Sequence, residues 1–197
     1  MQIRPYVPSD IAALYQICLE TGDSGADATL LYQDPKLLGH FYAAPYAVLE
    51  PELCFVLEDE LGVCGYVIAT SDSLRFQEQL EREWLPALRQ AYPMPDPQDQ
   101  SRDAAMIRLI HKGYQLDMEL YRQYPAHLHI DLLARAQKKG QGKRLMQRLF
   151  AALRQKQVVG VHLGVGSRNQ NGIAFYKHIG FSTLQTHPWG LFMGYRL

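Results

Sequence analysis

Residues 130–146 read IDLLARAQKKGQGKRLM and combine an apolar β-prone run, a turn with two glycines and the start of a helix. Gly140 and Gly142 lack a Cβ atom and let the backbone approach a ligand closely. The unpaired amides and positive dipole end of the following helix favour a bound phosphate group. The stretch therefore predicts a strand, turn and helix that hold a phosphorylated ligand, although a glycine turn of this kind taken alone is more often a solvated loop. Nearby cations add positive charge, namely Lys138, Lys139, Lys143 and Arg144.

A second informative stretch follows the next predicted strand, where residues 169–181 read NQNGIAFYKHIGF. Gln137, Gly140 and Gly142 resemble the (Gln/Arg)-x-x-Gly-x-(Gly/Ala) signature of the GNAT acetyltransferase superfamily. The second stretch resembles the Asn-x-x-Ala and Tyr-x-x-x-Gly-Phe signature of the same superfamily, with Gly172 in place of the usual alanine. The two signatures occur in the family order. The resemblance implies an α/β (α+β) GNAT fold with a mixed central sheet of about six to seven strands flanked by helices.

A dinucleotide-binding fold is the main alternative for a glycine turn between a strand and a helix. That fold requires Gly-x-Gly-x-x-Gly directly after its first strand and an acidic residue at the end of its second strand. Here the turn comes late in the chain, and Leu145 occupies the position of the third glycine. The sequence therefore argues against a Rossmann unit.

The rest of the chain fits a single domain over residues 1–197. Two apolar β-prone runs, residues 53–57 and 63–69, predict a β-hairpin. Pro35 suits the first turn of a helix that ends near Tyr46. Strands and helices alternate in the second half, which predicts a βαβ unit, with boundaries at residues 127–134, 142–155 and 158–165.

The first half of the chain indicates a more specific relationship within this superfamily. Residues 21–29, 37–40, 51–66 and 84–86 are similar to the acetyltransferase-like domain at the C-terminus of animal O-GlcNAcases. The similarity extends over nearly the whole chain and implies a stand-alone bacterial-type relative. Since the animal domains have degenerate cofactor loops, the alternative to an active enzyme is a non-catalytic acyl-CoA-binding or protein-interaction module. The intact loop at residues 137–142 favours the enzyme.

The resemblance implies acetyl-CoA, and CoA as its product, bound with the pyrophosphate on the glycine turn. It also implies that the backbone of Leu132 and Ala134 pairs with the pantetheine and the thioester carbonyl. Asn169 matches a cofactor-facing position, and asparagine is equally suited to cap a helix. The full set of expected cofactor contacts is Leu132, Leu133, Ala134, Gln137, Lys138, Lys139, Gly140, Gln141, Gly142, Lys143, Arg144, Asn169, Phe175 and Tyr176.

Catalytic candidates come from the same two regions. Tyr176 matches the general acid of the family, and its alternative is a core aromatic residue. An attacking amine must lose a proton, so a base is also required. Period-two alternation places His127, His129 and Asp131 on one face of a strand. His129 and Asp131 are the candidates for the base, and a polar face covered by waters or by a helix is the alternative.

The acceptor is expected to be a primary amine, which could belong to a small amine, an amino sugar or a peptide. Candidate acceptor contacts lie where GNAT enzymes form the acceptor pocket. Carboxylates there suit a cationic amine, while an aspartate beside glycine often hydrogen-bonds its own turn instead. The candidates are Asp23, Asp27, Tyr32, His40 and Tyr42.

The composition points away from polyanionic and membrane partners. Among 197 residues, 20 are Lys or Arg and 20 are Asp or Glu, so the formal net charge is zero and no global field attracts nucleic acid. There is no signal-peptide pattern and no apolar run of membrane-spanning length. The three cysteines lack disulfide or zinc-ligand spacing. We therefore expect no metal or nicotinamide, a cytoplasmic location, and a monomer or homodimer.

Overall fold

A seven-stranded sheet organises the described part of the chain. The structure is a computed structural model that describes residues 1–114 and 117–197. The strands are β1 (Gln2–Pro5), β2 (Phe55–Asp59), β3 (Gly62–Thr70), β4 (Ala126–Leu132), β5 (Gly160–Gly166), β6 (Ser182–His187) and β7 (Gly190–Arg196). Their order is β1-β2-β3-β4-β5-β7-β6, and neighbours are antiparallel except for the parallel pair β4 and β5. The mixed sheet and the β2–β3 hairpin expected from the sequence are confirmed.

Helices cover both faces of this sheet. They are α1 (Ile11–Glu20), α2 (Leu37–Tyr42), α3 (Ala44–Leu49), α4 (Ser73–Gln79), α5 (Leu85–Ala91), α6 (Arg102–Lys112), α7 (Met118–Gln123), α8 (Gln141–Gln155) and α9 (Gln170–His178), with a π-helical turn at Leu80–Trp84. None of the helices within the described ranges is both long and apolar enough to cross a membrane.

The alternation of side chains along the strands decides which helices cover which face. On one face, Tyr46 of α3 lies against His127 of β4, with ring centroids 5.4 Å apart. On the opposite face, Phe150 of α8 stacks on Tyr195 of β7 at 4.5 Å. The buried residues of α8 recur at helical spacing, which gives this helix one apolar side, and they are Leu145, Met146, Leu149, Phe150 and Leu153.

Several predicted boundaries differ from the structure by a few residues, and two of these differences involve elements of the candidate site. The helix predicted from Pro35 to Tyr46 is two short helices, α2 and α3, separated at Ala43. Pro45 explains the break. In a continuous helix its ring would clash with the carbonyl group four residues earlier, whereas proline is tolerated in the first turn of a helix. The strand predicted to continue to Ala134 ends at Leu132 and is followed by a 3-10 turn at Ala134–Ala136.

Candidate active site

β4 and β5 diverge to form a cleft. They pair only at Ala126 with Val161 and at His127 with His162. Each strand nevertheless stays paired with its other neighbour, β4 with β3 as far as Leu132 and β5 with β7 as far as Gly166. The ends of the two strands are therefore open towards each other. We call this space the β4–β5 cleft, bounded by residues 128–132 and 163–166, and α8 and α9 begin beside it.

The turn before α8 has the geometry of an anion site. Gly140 has a φ of 71° and Lys138 a φ of 58°, so the chain reverses just before the helix. The first amide of α8 with a backbone partner among the described residues is that of Arg144, which donates to the Gly140 carbonyl at 3.2 Å. The amides of Gln141–Lys143 precede it and have no acceptor in the described chain. This turn therefore fits the pyrophosphate of a CoA molecule.

Two glycines at the helix starts allow close packing around that turn. A Cβ atom at Gly142 would lie 3.1 Å from the Phe175 ring, so the α9 aromatic sits directly against the start of α8. Asn169 caps α9 by accepting a 2.8 Å hydrogen bond from the Gly172 amide, and a Cβ at Gly172 would approach the Asn169 amide group to 2.8 Å. The helix-cap interpretation of Asn169 is thus present in the structure.

The side chains of the glycine turn divide into bonded and free groups. Gln137 donates from Nε2 to the Leu132 carbonyl at 2.8 Å, which joins the turn to the end of β4. Lys139 donates from Nζ to the Arg135 carbonyl at 2.9 Å, and Arg144 donates to Gln141 Oε1 at 2.9 Å. Within the described residues, Lys138 and Lys143 are exposed and form no ion pair. Their charges remain available to a ligand.

The backbone at the end of β4 presents donors to the cleft. The Leu133 amide donates to the Cys64 carbonyl of β3 at 2.9 Å, so Leu133 is occupied by the sheet. In an antiparallel ladder, alternate residues direct their peptide groups to opposite sides, so the Leu132 amide points towards β5. The Ala134 amide begins the 3-10 turn and has no backbone acceptor among the described residues. Of the three expected strand contacts, Leu132 and Ala134 offer free amides and Leu133 does not.

Tyr176 reaches the cleft from α9. Its ring lies 5.4 Å from that of Phe175 and 5.7 Å from that of Phe181, so the packing interpretation holds for the ring. Its hydroxyl has no hydrogen-bond partner in the described residues and is not fully buried. Burial raises the pKa of Tyr176, and the negative charge of Asp131 raises it further. The phenol therefore stays protonated at neutral pH, and its hydroxyl interacts electrostatically with the Asp131 carboxylate.

Asp131 is held by a tyrosine on the neighbouring strand. Tyr66 lies opposite it in the β3–β4 register and donates from Oη to Asp131 Oδ2 at 2.6 Å. Burial raises the pKa of Asp131 to about 6, while the hydrogen bond from Tyr66 acts in the opposite direction. The carboxylate is therefore largely ionised at neutral pH yet is far more basic than an exposed aspartate.

His129 lies on the same face, as the alternation predicted. Its Nε2 is 3.1 Å from Tyr46 Oη, and its ring centroid is 5.5 Å from that of Tyr42. Burial lowers the pKa of His129 to about 4, and His162 contributes in the same direction. The imidazole is consequently neutral at neutral pH. No group of three potential metal-ligating His, Cys, Asp or Glu side chains is found in the parts of the chain that the structure describes.

Most of the five acceptor candidates have hydrogen-bond or packing partners within the described chain. Tyr42 alone is found in ring contact with a catalytic candidate, His129. Asp27 accepts hydrogen bonds from the Thr29 amide and hydroxyl at 2.8 and 2.6 Å, as expected for an aspartate that stabilises its own turn. Other candidates also have partners within the chain: Asp23 pairs with Arg168, His40 Nδ1 lies 2.7 Å from Tyr15 Oη, and Tyr32 packs against the core.

Three residues around the cleft were not predicted from the sequence as site residues. Tyr46 and Tyr66 hold His129 and Asp131, but they are distant in sequence and become visible only through the strand register. Trp189, in the turn between β6 and β7, is 51% exposed. Its indole lies 3.2 Å from where a Cβ atom on Gly164 of β5 would be. It therefore lies against β5 at Gly164.

Comparisons with known proteins agree with this geometry. A model of the acetyltransferase (GNAT) family matches residues 26–181. Protein O-GlcNAcase of Rattus norvegicus and of Mus musculus is 29% identical over 180 residues, a match that covers 90% of this chain and 20% of each relative. The chain thus spans about a fifth of the length of these curated relatives. Both resemblances expected from the sequence are confirmed.

Solved structures give the same answer. The crystal structure of SsHAT is 38% identical and superposes with a TM-score of 0.93, covering 99% of this chain and 97% of SsHAT. The putative acetyltransferase yncA from Salmonella typhimurium, solved with acetyl-CoA, shares the fold at 16% identity and a TM-score of 0.59, covering 100% of this chain and 94% of yncA. The chain belongs to the acetyltransferase (GNAT) family, the acetyl-CoA-dependent acyltransferases.

Proposed function

We propose that this protein transfers the acetyl group of acetyl-CoA to a primary amine by direct attack in a ternary complex within the β4–β5 cleft. The observation that carries the proposal is the placement of two complementary groups on one cleft. Asp131 is a carboxylate with a pKa of about 6, and Tyr176 is a protonated phenol whose hydroxyl has no partner among the described residues. A base and an acid are the two groups that aminolysis of a thioester uses.

The chain offers a binding surface for the whole length of the cofactor. Acetyl-CoA, when bound, supplies the activated acetyl thioester. The amides of Gln141–Lys143 bind its pyrophosphate, and the free ammonium groups of Lys138 and Lys143 add charge to the same place. The amides of Leu132 and Ala134 lie further along the cleft and donate to the pantetheine and to the thioester carbonyl. Hydrogen bonds to that carbonyl stabilise the charge that develops during attack.

Asp131 is the proposed general base. Its negative charge attracts a protonated amine, and its raised pKa brings its basicity close to neutral pH, where a general base is most effective. Tyr66 holds the carboxylate through Oδ2. His129, the other candidate, has a pKa of about 4, so it accepts a hydrogen bond from the amine rather than a proton at neutral pH.

Tyr176 is the proposed general acid. Because its pKa is raised, it keeps a proton at Oη and donates it to the departing sulfur. A thiol with a pKa near ~8.5 is already a fair leaving group. The assistance from Tyr176 therefore belongs at the low end of the range for general acids.

The acceptor binds between the loop that follows α1 and the cleft. Tyr42 and Trp189 line this approach from opposite sides, beside His129 and Gly164. Of the acceptor contacts proposed from the sequence, Asp23, Asp27 and Tyr32 lie in this loop, and His40 lies in α2, which follows it. Small amines, amino sugars and peptide amines are the acceptor classes to compare.

A panel of amines tests the proposal. Thiol release from acetyl-CoA is followed with each amine for the wild type, for Asp131→Asn and for the exposed control Asp99→Asn. We expect release that depends on a primary amine and that falls by about 10²-fold or more in Asp131→Asn, with Asp99→Asn unchanged. Amine-independent thioester hydrolysis alone, or full activity in Asp131→Asn, would contradict the proposed transfer.

A further inference from the structure

A chain of partly buried hydrogen bonds leads from His129 away from the cleft. Tyr46 Oη lies 3.1 Å from His129 Nε2 and 2.7 Å from His127 Nε2. His127 Nδ1 lies 2.7 Å from Ser73 Oγ, and Ser73 Oγ lies 2.7 Å from the Pro125 carbonyl oxygen. We call these four side chains, Ser73, His127, Tyr46 and His129, the relay. Their sequence separations are long, so the fold and not a local motif assembles them.

The far end of the relay fixes the protonation of His127. A carbonyl oxygen has no proton to give. Ser73 must therefore donate its hydroxyl proton to Pro125, since otherwise two oxygen lone pairs would face each other at 2.7 Å. The Ser73 oxygen is then an acceptor towards His127, so Nδ1 of His127 carries the proton.

Tyr46 links the protonation of His127 to that of His129. Burial lowers the pKa of His127 well below its usual value, so this imidazole is neutral and its Nε2 is an acceptor. Tyr46 therefore donates its only proton to His127. The Tyr46 oxygen is then only an acceptor, both towards Tyr114 Oη at 3.1 Å and towards His129 Nε2, so His129 must carry its proton on Nε2.

The other ring nitrogen of His129, Nδ1, then carries no proton. Nδ1 has no hydrogen-bond partner in the described residues, and it is not among their fully buried side-chain atoms that lack a partner. Asp131, two residues further along β4, lies on the same face. The wall of the cleft formed by these two side chains thus presents hydrogen-bond acceptors.

We infer that Ser73, His127 and Tyr46 are positioning residues that hold His129 as its Nε2-protonated tautomer, with Nδ1 as a fixed hydrogen-bond acceptor for the incoming nucleophile. This inference rests on the proposed function, because the nucleophile is the amine. An ammonium or amine with at least two N–H bonds satisfies Asp131 and His129 together. A hydroxyl has one proton and satisfies one of them. The relay therefore selects primary amines over alcohols.

Nitrogen-15 NMR of histidine-labelled protein tests the inference directly, because long-range correlations distinguish protonated from bare ring nitrogens. The His129 signals are assigned from the spectrum of His129→Gln. In the wild type we expect the Nε2-protonated form of His129 and the Nδ1-protonated form of His127. A wild-type spectrum in which His129 is protonated on Nδ1 overturns the inference without any variant.

Tyr46→Phe then breaks the relay while retaining the ring that stacks on Phe76 at 4.5 Å. We expect mixed tautomers at His129 and a fall in kcat/KM for the amine of roughly 5- to 10-fold, the rate equivalent of one neutral hydrogen bond. Acetyl-CoA affinity should not change. Tyr114→Phe is the matched control, since its hydroxyl lies 3.1 Å from Tyr46 Oη but outside the relay, and it should leave the tautomers as in the wild type.

The two proposals fail in different ways. Wild-type tautomers that persist in Tyr46→Phe, or mixed tautomers in Tyr114→Phe, contradict the relay whatever the activity. If the tautomers are as expected but Asp131→Asn retains full amine acetylation, the relay stands and the assignment of the base is wrong.

Discussion

Removing the Tyr66 hydroxyl should shift the pH dependence of amine acetylation upward. Tyr66 donates to Asp131 Oδ2 at 2.6 Å, and this bond favours the ionised carboxylate against the effect of burial. A hydrogen bond to a charged group contributes about 1.5–3 kcal/mol, which corresponds to about one to two pKa units. In Tyr66→Phe, the pKa of Asp131 should therefore rise from about 6 to roughly 7–8.

The sign of the change follows from the role of the base. As the proposed base, Asp131 acts when ionised, so activity should be lost as the pH falls through its pKa. At pH 7 the ionised fraction should fall from about nine-tenths to between about one-half and one-tenth, which lowers kcat/KM by roughly 2- to 10-fold. Activity should recover above pH 9, where the variant carboxylate is again ionised.

The assay is thiol release measured across pH with one amine, so the titration of the amine itself is common to all variants. Tyr92→Phe is the matched control, because Tyr92 makes a similar bond to Asp34 Oδ2 at 2.7 Å outside the cleft. Its profile should coincide with that of the wild type. An acidic limb that stays near pH 6 in folded Tyr66→Phe would refute the assignment of Asp131 as the base.

Three further predictions follow from the same geometry. Gly142→Asp places a carboxylate at the anion site and a Cβ atom 3.1 Å from Phe175, so calorimetry should detect no acetyl-CoA binding. The control Leu61→Asp, at an 81% exposed position, should bind acetyl-CoA normally. Unchanged affinity in the folded Gly142→Asp variant would show that the pyrophosphate does not bind at this turn. Tyr176→Phe should lower kcat by roughly 10- to 100-fold with little change in cofactor affinity, and normal turnover would leave Tyr176 a packing residue. Asp27→Asn should lower the melting temperature slightly and leave the KM for the amine unchanged, because Asp27 bonds its own turn; a raised KM at unchanged stability would restore its role as an acceptor contact.

The glycine turn before α8 was predictable because its determinants are local. Gly140, Gly142 and the cations around them lie within a few residues of one another. The strand, turn and helix around them follow from the local sequence pattern. Helix α9 and its cap at Asn169 are predictable for the same reason. The break between α2 and α3 was also encoded locally, in Pro45, but the apolar pattern running through residues 35–46 concealed it.

The side chains that hold the proposed catalytic groups, His129 and Asp131, could not be predicted in this way. Alternation placed His129 and Asp131 on one face, but it carried no information about what would cover that face. Tyr66 reaches Asp131 only because β3 and β4 pair in one particular register. Tyr46 reaches both histidines only because α3 packs over β4. Such contacts depend on tertiary structure, and so does the burial that raises the pKa of Asp131 and lowers that of His129.

Hydrogen–deuterium exchange with and without acetyl-CoA tests the central claim most directly, since it locates the cofactor without requiring a known acceptor. The β4–β5 cleft should account for the binding site. Saturating acetyl-CoA should slow exchange at the amides of Leu132 and Ala134 and at those of residues 138–143, while the β2–β3 hairpin turn at residues 59–62 should exchange as before. Protection confined to other parts of the chain, with residues 132–143 unaffected, would contradict the account.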